Sequence, residues 1–168
     1  MQIKARIRII AAGMAGILVS LGGTAVEAAP RTSSVGSYLG GGLSFQGLAT
    51  SPSAFGGNVT GRLKLEGAPL SLRSSVLFGR DGTAIVPTIS WDIPASDRLN
   101  LFVGAGGTFP LDQNATLVGN RSALAVQPGV ELSLNDRWVL YGNAIVPLSG
   151  ATNGSAGVAL QSGIGFQF

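Results

Sequence analysis

The chain has 168 residues, no cysteine, no histidine, eleven basic residues against eight acidic ones, and 26 glycines. Disulfide scaffolds and thiolate metal sites are excluded by the first absence, Ser-His-Asp and histidine–metal chemistry by the second. Charged residues are only 11% of the total, where about a quarter is usual, and the mean hydropathy is positive.

Residues 1–28 read as a signal peptide. Lys4, Arg6 and Arg8 precede the apolar run from Ile9 to Val19, and small residues lead to Val26-Glu27-Ala28. The run is too short for a comfortable membrane helix and has the flanks of a cleaved leader. Removing Lys4, Arg6, Arg8 and Glu27 leaves eight basic and seven acidic residues, so the high charge belongs mostly to the leader. A nucleic-acid partner loses its electrostatic basis. Residues 29–168 then have a length typical of one domain.

No later stretch approaches the ~20 consecutive apolar residues of a membrane helix. Instead, period-2 alternation predicts eight strands: 35–46, 58–66, 70–80, 83–93, 98–108, 121–134, 138–148 and 157–168. Most match the ~9–11 residues of a tilted membrane strand. An apolar, exported chain without a helical span can satisfy its backbone in lipid only as a closed barrel. The expected fold is therefore all-β, an eight-stranded antiparallel up-and-down transmembrane β-barrel.

The connections alternate in length, as in outer-membrane barrels, where short periplasmic turns face longer external loops. Gly67-Ala68-Pro69, Pro94-Ala95-Ser96-Asp97 and Asn135-Asp136-Arg137 are short; 47–57, 109–120 and 149–155 are long. Asp81-Gly82 is the exception, a pair that favours a tight hairpin turn. Aromatic girdles are expected at two levels, with Phe45, Phe78 and Phe109 above and Trp91, Trp138 and Phe168 below. Pro87, Pro128 and Pro147 cannot donate to a ladder and are expected at bulges or near the rim.

With apolar faces outward, Arg62, Lys64, Glu66, Arg73, Asp92 and Glu131 point into the lumen. Tyr38, Asn100, Gln127, Tyr141, Asn143 and Gln161 accompany them. Eight strands enclose little more than their own side chains, so these groups are expected to pair and plug the interior. Inward glycines, among them Gly40, Gly104, Gly129, Gly163 and Gly165, would leave room for bulkier neighbours. No catalytic or metal constellation emerges, and no cofactor is expected.

The chain ends on Gly163-Ile164-Gly165-Phe166-Gln167-Phe168, a strand whose apolar edge a soluble sheet would leave open to pairing. With the eight hairpin-linked strands and unequal loops, this ending resembles the small outer-membrane β-barrel family of opacity-type surface proteins and the OmpA membrane domain. The resemblance implies residence in the bacterial outer membrane, contact with its lipid, and a terminal strand read by the barrel-assembly machinery. Gly163, Phe166 and Phe168 match that assembly signal. Enzymes built on such barrels use a histidine, which this chain lacks. The expected role is structural or surface-interacting, with an extracellular partner at the loops, chiefly 47–57 and 109–120. A narrow porin or ion channel is the alternative, and a soluble secreted β-sandwich or lipid-binding barrel a third reading.

Overall fold

A computed structural model of the chain describes residues 35–46, 54–80, 82–111, 116–148 and 157–168. Eight strands follow one another: β1 (Tyr38–Gln46), β2 (Ala54–Lys64), β3 (Leu70–Gly79), β4 (Thr83–Pro94), β5 (Leu99–Pro110), β6 (Ala123–Ser133), β7 (Trp138–Pro147) and β8 (Ala159–Gln167). Each pairs antiparallel with the next, and β8 pairs with β1 to close the barrel. The C-terminal strand thus has no free edge, which explains how it can be so apolar.

Alternation sets the two surfaces. In β4, Ala84, Val86, Thr88, Ser90 and Asp92 are buried while Ile89, Trp91 and Ile93 are exposed. The same pattern runs around the barrel, so large aliphatic and aromatic side chains cover the outside and mostly polar ones fill the inside. A soluble fold would bury the first set and solvate the second. Lipid is the solvent that reverses this preference.

Register fixes the tilt. Following partners from Gln46 through Ala159, Ile145, Gln127, Gly104, Ser90, Ser71 and Lys64 returns to β1 beside Gly36, ten residues before the start. Such a stagger tilts strands by roughly 35–45° and gives an interior that side chains can fill.

β2 begins at Ala54, earlier than its sequence pattern predicts, because Gly56 and Gly57 pair on both sides, with Ser44 and Leu43 and with Gly79 and Phe78. It ends at Lys64, which leaves Glu66 in the following turn. Pro87 and Pro128 also depart from expectation. Both lie well inside their strands, point outward, and are paired on one side, with Ser74 and Val103 respectively. On the other side the ladder skips them and resumes in unchanged register, from Ile85↔Phe109 to Thr88↔Gly106 and from Val126↔Val146 to Gly129↔Asn143. Each missing N–H therefore makes a gap but no bulge. Pro147 ends β7 at the rim.

The two ends differ. The turn end carries the short connections 65–69, 95–98 and 134–137, and the loop end carries 47–53, 111–122 and 148–158, with the shorter 80–82 among them. Local chemistry holds the short turns. Gly67 takes a positive φ of 75°, Ser96 Oγ accepts from the Leu99 amide at 3.0 Å, and Asn135 Oδ1 accepts from Arg137 and Trp138 at 2.9 Å. The predicted leader at 1–28, Asp81 of the predicted hairpin turn, and the segments 47–53, 112–115 and 149–156 lie outside the described residues.

Candidate functional site

The lumen is filled in three storeys. Nearest the turn end, β2, β3, β4 and β6 bring Arg62, Arg73, Asp92 and Glu131 together, all buried. Arg62 Nη2 donates to Asp92 Oδ2 at 2.9 Å, and its Nη1 lies 3.6 Å from Glu131 Oε2. Arg73 reaches both carboxylates: Nη2 donates to Asp92 Oδ1 at 3.0 Å and to Glu131 Oε2 at 3.2 Å, and Nη1 donates to Glu131 Oε1. Two cations and two anions thus share one site, the condition under which charges survive burial.

The surroundings complete that layer. Tyr38 donates its hydroxyl to Glu131 at 2.9 Å, Asn100 donates to Glu131 at 2.9 Å and to Asp92 at 3.2 Å, and Ser71 donates to Asp92 at 3.2 Å. Phe102 turns inward beneath Arg73, whose guanidinium carbon sits 3.5 Å from the ring centroid. Residues 35 and 36, just before β1, add backbone partners to this layer. Arg62 Nη1 donates to the carbonyls of Val35 and Gly36 at 2.9 Å, and the Gly36 amide donates to Gln167 Oε1 at 2.7 Å. Val35 packs with Tyr38, Val139 and Tyr141.

The middle storey is uncharged. Tyr141 donates to Asn58 Oδ1 at 2.6 Å, Thr88 donates to Gln127 at 2.7 Å, and Gln127 donates to Asn143 at 3.1 Å. Thr60 and Ser75 share a hydrogen bond of 2.9 Å, and Ser75 donates to Gln161 at 3.3 Å. Glycines accommodate the rings here and below. A methyl group at Gly129 would stand 2.4 Å from Phe102 Cζ, one at Gly163 2.4 Å from the Tyr141 hydroxyl, and one at Gly165 2.6 Å from Tyr38 Cδ2. At Gly163 the methyl would also stand 2.4 Å from the Gly41 carbonyl oxygen, and Gly42 and Gly106 are crowded chiefly by backbone. There an added methyl would meet backbone, the carbonyl oxygens of Ser162 and Pro87.

The storey at the loop end is apolar. Leu77, Ala84, Val86, Ala125, Ile145 and Ala159 pack there with Leu117 and Val118 from the β5–β6 connection. Alternation does not signal it, because these residues sit in runs that are apolar on both faces.

Six lumen charges are predicted from the sequence, and four meet. Lys64 stands half-buried at the end of β2, its amide donating to Ser37 Oγ at 3.1 Å. Glu66 is a correction: it is exposed in the β2–β3 turn, because β2 stops before reaching it. Phe102 and Ser71 are the members that sequence reasoning misses. For Phe102, its even-numbered place beside Asn100 and Gly104 was the available sign.

The predicted aromatic residues are all on the outer surface. Phe45, Phe78 and Phe109 lie toward the loop end, where Phe55 joins them edge-on to Phe45 at 5.0 Å. Trp91 and Trp138 lie toward the turn end, and Trp138 meets Phe166 edge-on at 5.5 Å. Gly163 faces inward against Tyr141. Phe168 is 75% exposed, with its amide donating to the Ser37 carbonyl at 3.1 Å.

No protein-family profile matches the chain, and no curated protein matches it in sequence. Solved structures do match its fold. A de novo designed transmembrane β-barrel superposes with a TM-score of 0.58 at 10% identity, covering 81% of this chain and 97% of its own. Ail, the attachment invasion locus protein of Yersinia pestis, superposes with a TM-score of 0.53 at 14% identity over 79% of this chain and 97% of Ail, both by itself and in complex with the heparin analogue sucrose octasulfate. An apolar exterior around a mostly polar interior fits the bilayer in which such barrels reside. The chain therefore has the fold of a small eight-stranded transmembrane β-barrel.

Proposed function

We propose that the protein is a non-catalytic outer-membrane scaffold: a barrel closed by its own side chains that holds external loops for contact with an extracellular partner. The four-charge layer carries this reading. Arg62, Arg73, Asp92 and Glu131 neutralise one another in the lumen, leaving no unbalanced ring of charge among the described residues to draw ions through. Ion-conducting barrels are wider and water-filled.

Residues 1–28 direct export and are removed, and Gly163, Phe166 and Phe168 are the signal read during assembly. The two aromatic levels anchor the barrel at the membrane interfaces. Loops on a rigid scaffold are the natural place for recognition, and Ail, crystallised with a sulfated ligand, is a barrel of the same strand number that engages a soluble molecule. In this chain Arg80 and Arg121 are exposed at the loop end and offer positive charge there.

The test has two stages. Recovery in the outer-membrane fraction with heat-modifiable mobility on a detergent gel is expected. A monodisperse product without detergent would sink the membrane reading. Planar-bilayer recording of the folded protein is then expected to be silent; steady conductance that changes in Arg73→Ala or Glu131→Ala would establish a channel instead.

A further inference from the structure

The apolar storey at the loop end poses a physical problem. Ala84 is the second residue of β4 and Ala159 the first of β8, both beside the rim, where an open mouth would admit water. Both are nevertheless 0% exposed, as is Leu77 near the end of β3. Among the described residues, the cover comes from 116–119 of the β5–β6 connection. Thr116 and Gly119 exchange backbone hydrogen bonds of 3.1 Å in each direction, and Gly119 takes a φ of 111°, which closes a tight turn. Leu117 and Val118 form its tip, each only 2% exposed, although Leu111, Asn120 and Arg121 on either side are exposed. The barrel wall is shaped for this tip: a methyl group at Gly79 would stand 3.3 Å from Leu117 Cγ.

We propose that Leu117 and Val118 are a built-in stopper that seals the outer mouth independently of the charged layer at the other end. The two closures differ in chemistry. One excludes ions by mutual neutralisation of buried charges, and the other excludes water by filling an apolar chamber. A consequence for recognition follows: Leu117 and Val118 of the β5–β6 connection are withdrawn from solvent, so external contacts fall to Asn120 and Arg121 beside them and to the other loops. The stopper goes beyond the closed-scaffold reading, which rests on the charged layer alone.

The absence of cysteine makes single-cysteine labelling clean. In folded protein in detergent, Ala84→Cys is expected to react with a charged maleimide roughly a hundredfold more slowly than Asn120→Cys, the protection that burial of two aliphatic side chains provides. Val118→Cys serves as a second reporter should Ala84→Cys fail to fold. Adding Leu117→Asp, with folding verified by heat-modifiable mobility, is expected to bring the Ala84→Cys rate up to that of Asn120→Cys. Equal rates with the native loop, or continued protection in Leu117→Asp, would overturn the stopper. In bilayers, the Arg73→Ala/Glu131→Ala double variant is expected to stay silent behind the native loop, and conductance there would also overturn it. Conductance through Leu117→Asp alone would break the closed-scaffold reading and leave the stopper standing.

Discussion

Arg73 and Glu131 meet across the lumen as a two-pronged pair. Both terminal guanidinium nitrogens of Arg73 donate to the two oxygens of Glu131, while Phe102 lies flat against the guanidinium at 3.5 Å. The planar fork is the reason an arginine serves here where a lysine would not: it can grip two oxygens, reach Asp92 and still stack on a ring.

Removing the acid should be more harmful than removing the pair. Glu131→Ala leaves Arg62 and Arg73 sharing Asp92 alone, and truncating one partner of a buried ion pair costs about 3–5 kcal/mol. Arg73→Met combined with Glu131→Leu should cost less than either single change. Urea unfolding of the barrel in lipid vesicles measures both. A double variant as unstable as the sum of the singles would show that the residues act separately.

Gly129 should tolerate no side chain while Phe102 is present. Gly129→Ala puts a methyl group 2.4 Å from the ring, and overpacking of this kind costs about 1–3 kcal/mol. Phe102→Leu in the same chain should recover part of the loss, because Asn143 Cβ, 2.7 Å from the added methyl, still crowds it. If Gly129→Ala is neutral by itself, the close contact does not constrain the lumen.

Depth in the bilayer should govern the cost of a charge on the outside. Ile89→Arg, in the interior of β4, is expected to cost about 2–4 kcal/mol in lipid, and Leu134→Arg, beside the β6–β7 turn, about 0–1 kcal/mol. Equal costs at the two depths would contradict the membrane placement of the barrel.

Deletion of Phe168 should separate assembly from stability. Its side chain is largely exposed, and the backbone bond from its amide to Ser37 is modest, so the purified barrel should refold nearly as well without it. Outer-membrane recovery from cells should nonetheless drop sharply. Normal recovery of the deleted chain would remove the assembly signal from this residue.

Much of the wall was legible because strand alternation repeats with a short, strict period. Val59, Leu63, Ile89, Trp91 and Leu132 fall on one face by parity alone, and Arg62, Arg73, Asp92 and Glu131 on the other. The partners inside were not. Which charges meet depends on registers accumulated around the barrel, so Glu66, which matches Arg62 in parity, stops short in a turn while Asp92 arrives from β4. The apolar storey was hidden for another reason. Val76-Leu77-Phe78, Ile85-Val86 and Ala144-Ile145-Val146 are apolar on both faces and carry no alternation to read. Leu117 and Val118 looked like part of an exposed loop, since nothing local announces that a turn folds into a chamber built by distant strands.

The register of β2 and β3 sets Arg62 directly opposite Arg73. As an isolated hairpin, these two strands would oppose like charges and carry two cations toward hydrocarbon. Relief comes only from Asp92 on β4 and Glu131 on β6, supplied later in the chain. Hairpin-by-hairpin entry into the bilayer is therefore disfavoured for this sequence. β2 and β3 gain their first counter-charge when β4 brings Asp92 to both arginines, and full neutrality only when β6 brings Glu131, so insertion of the early hairpin is coupled to strands that follow it.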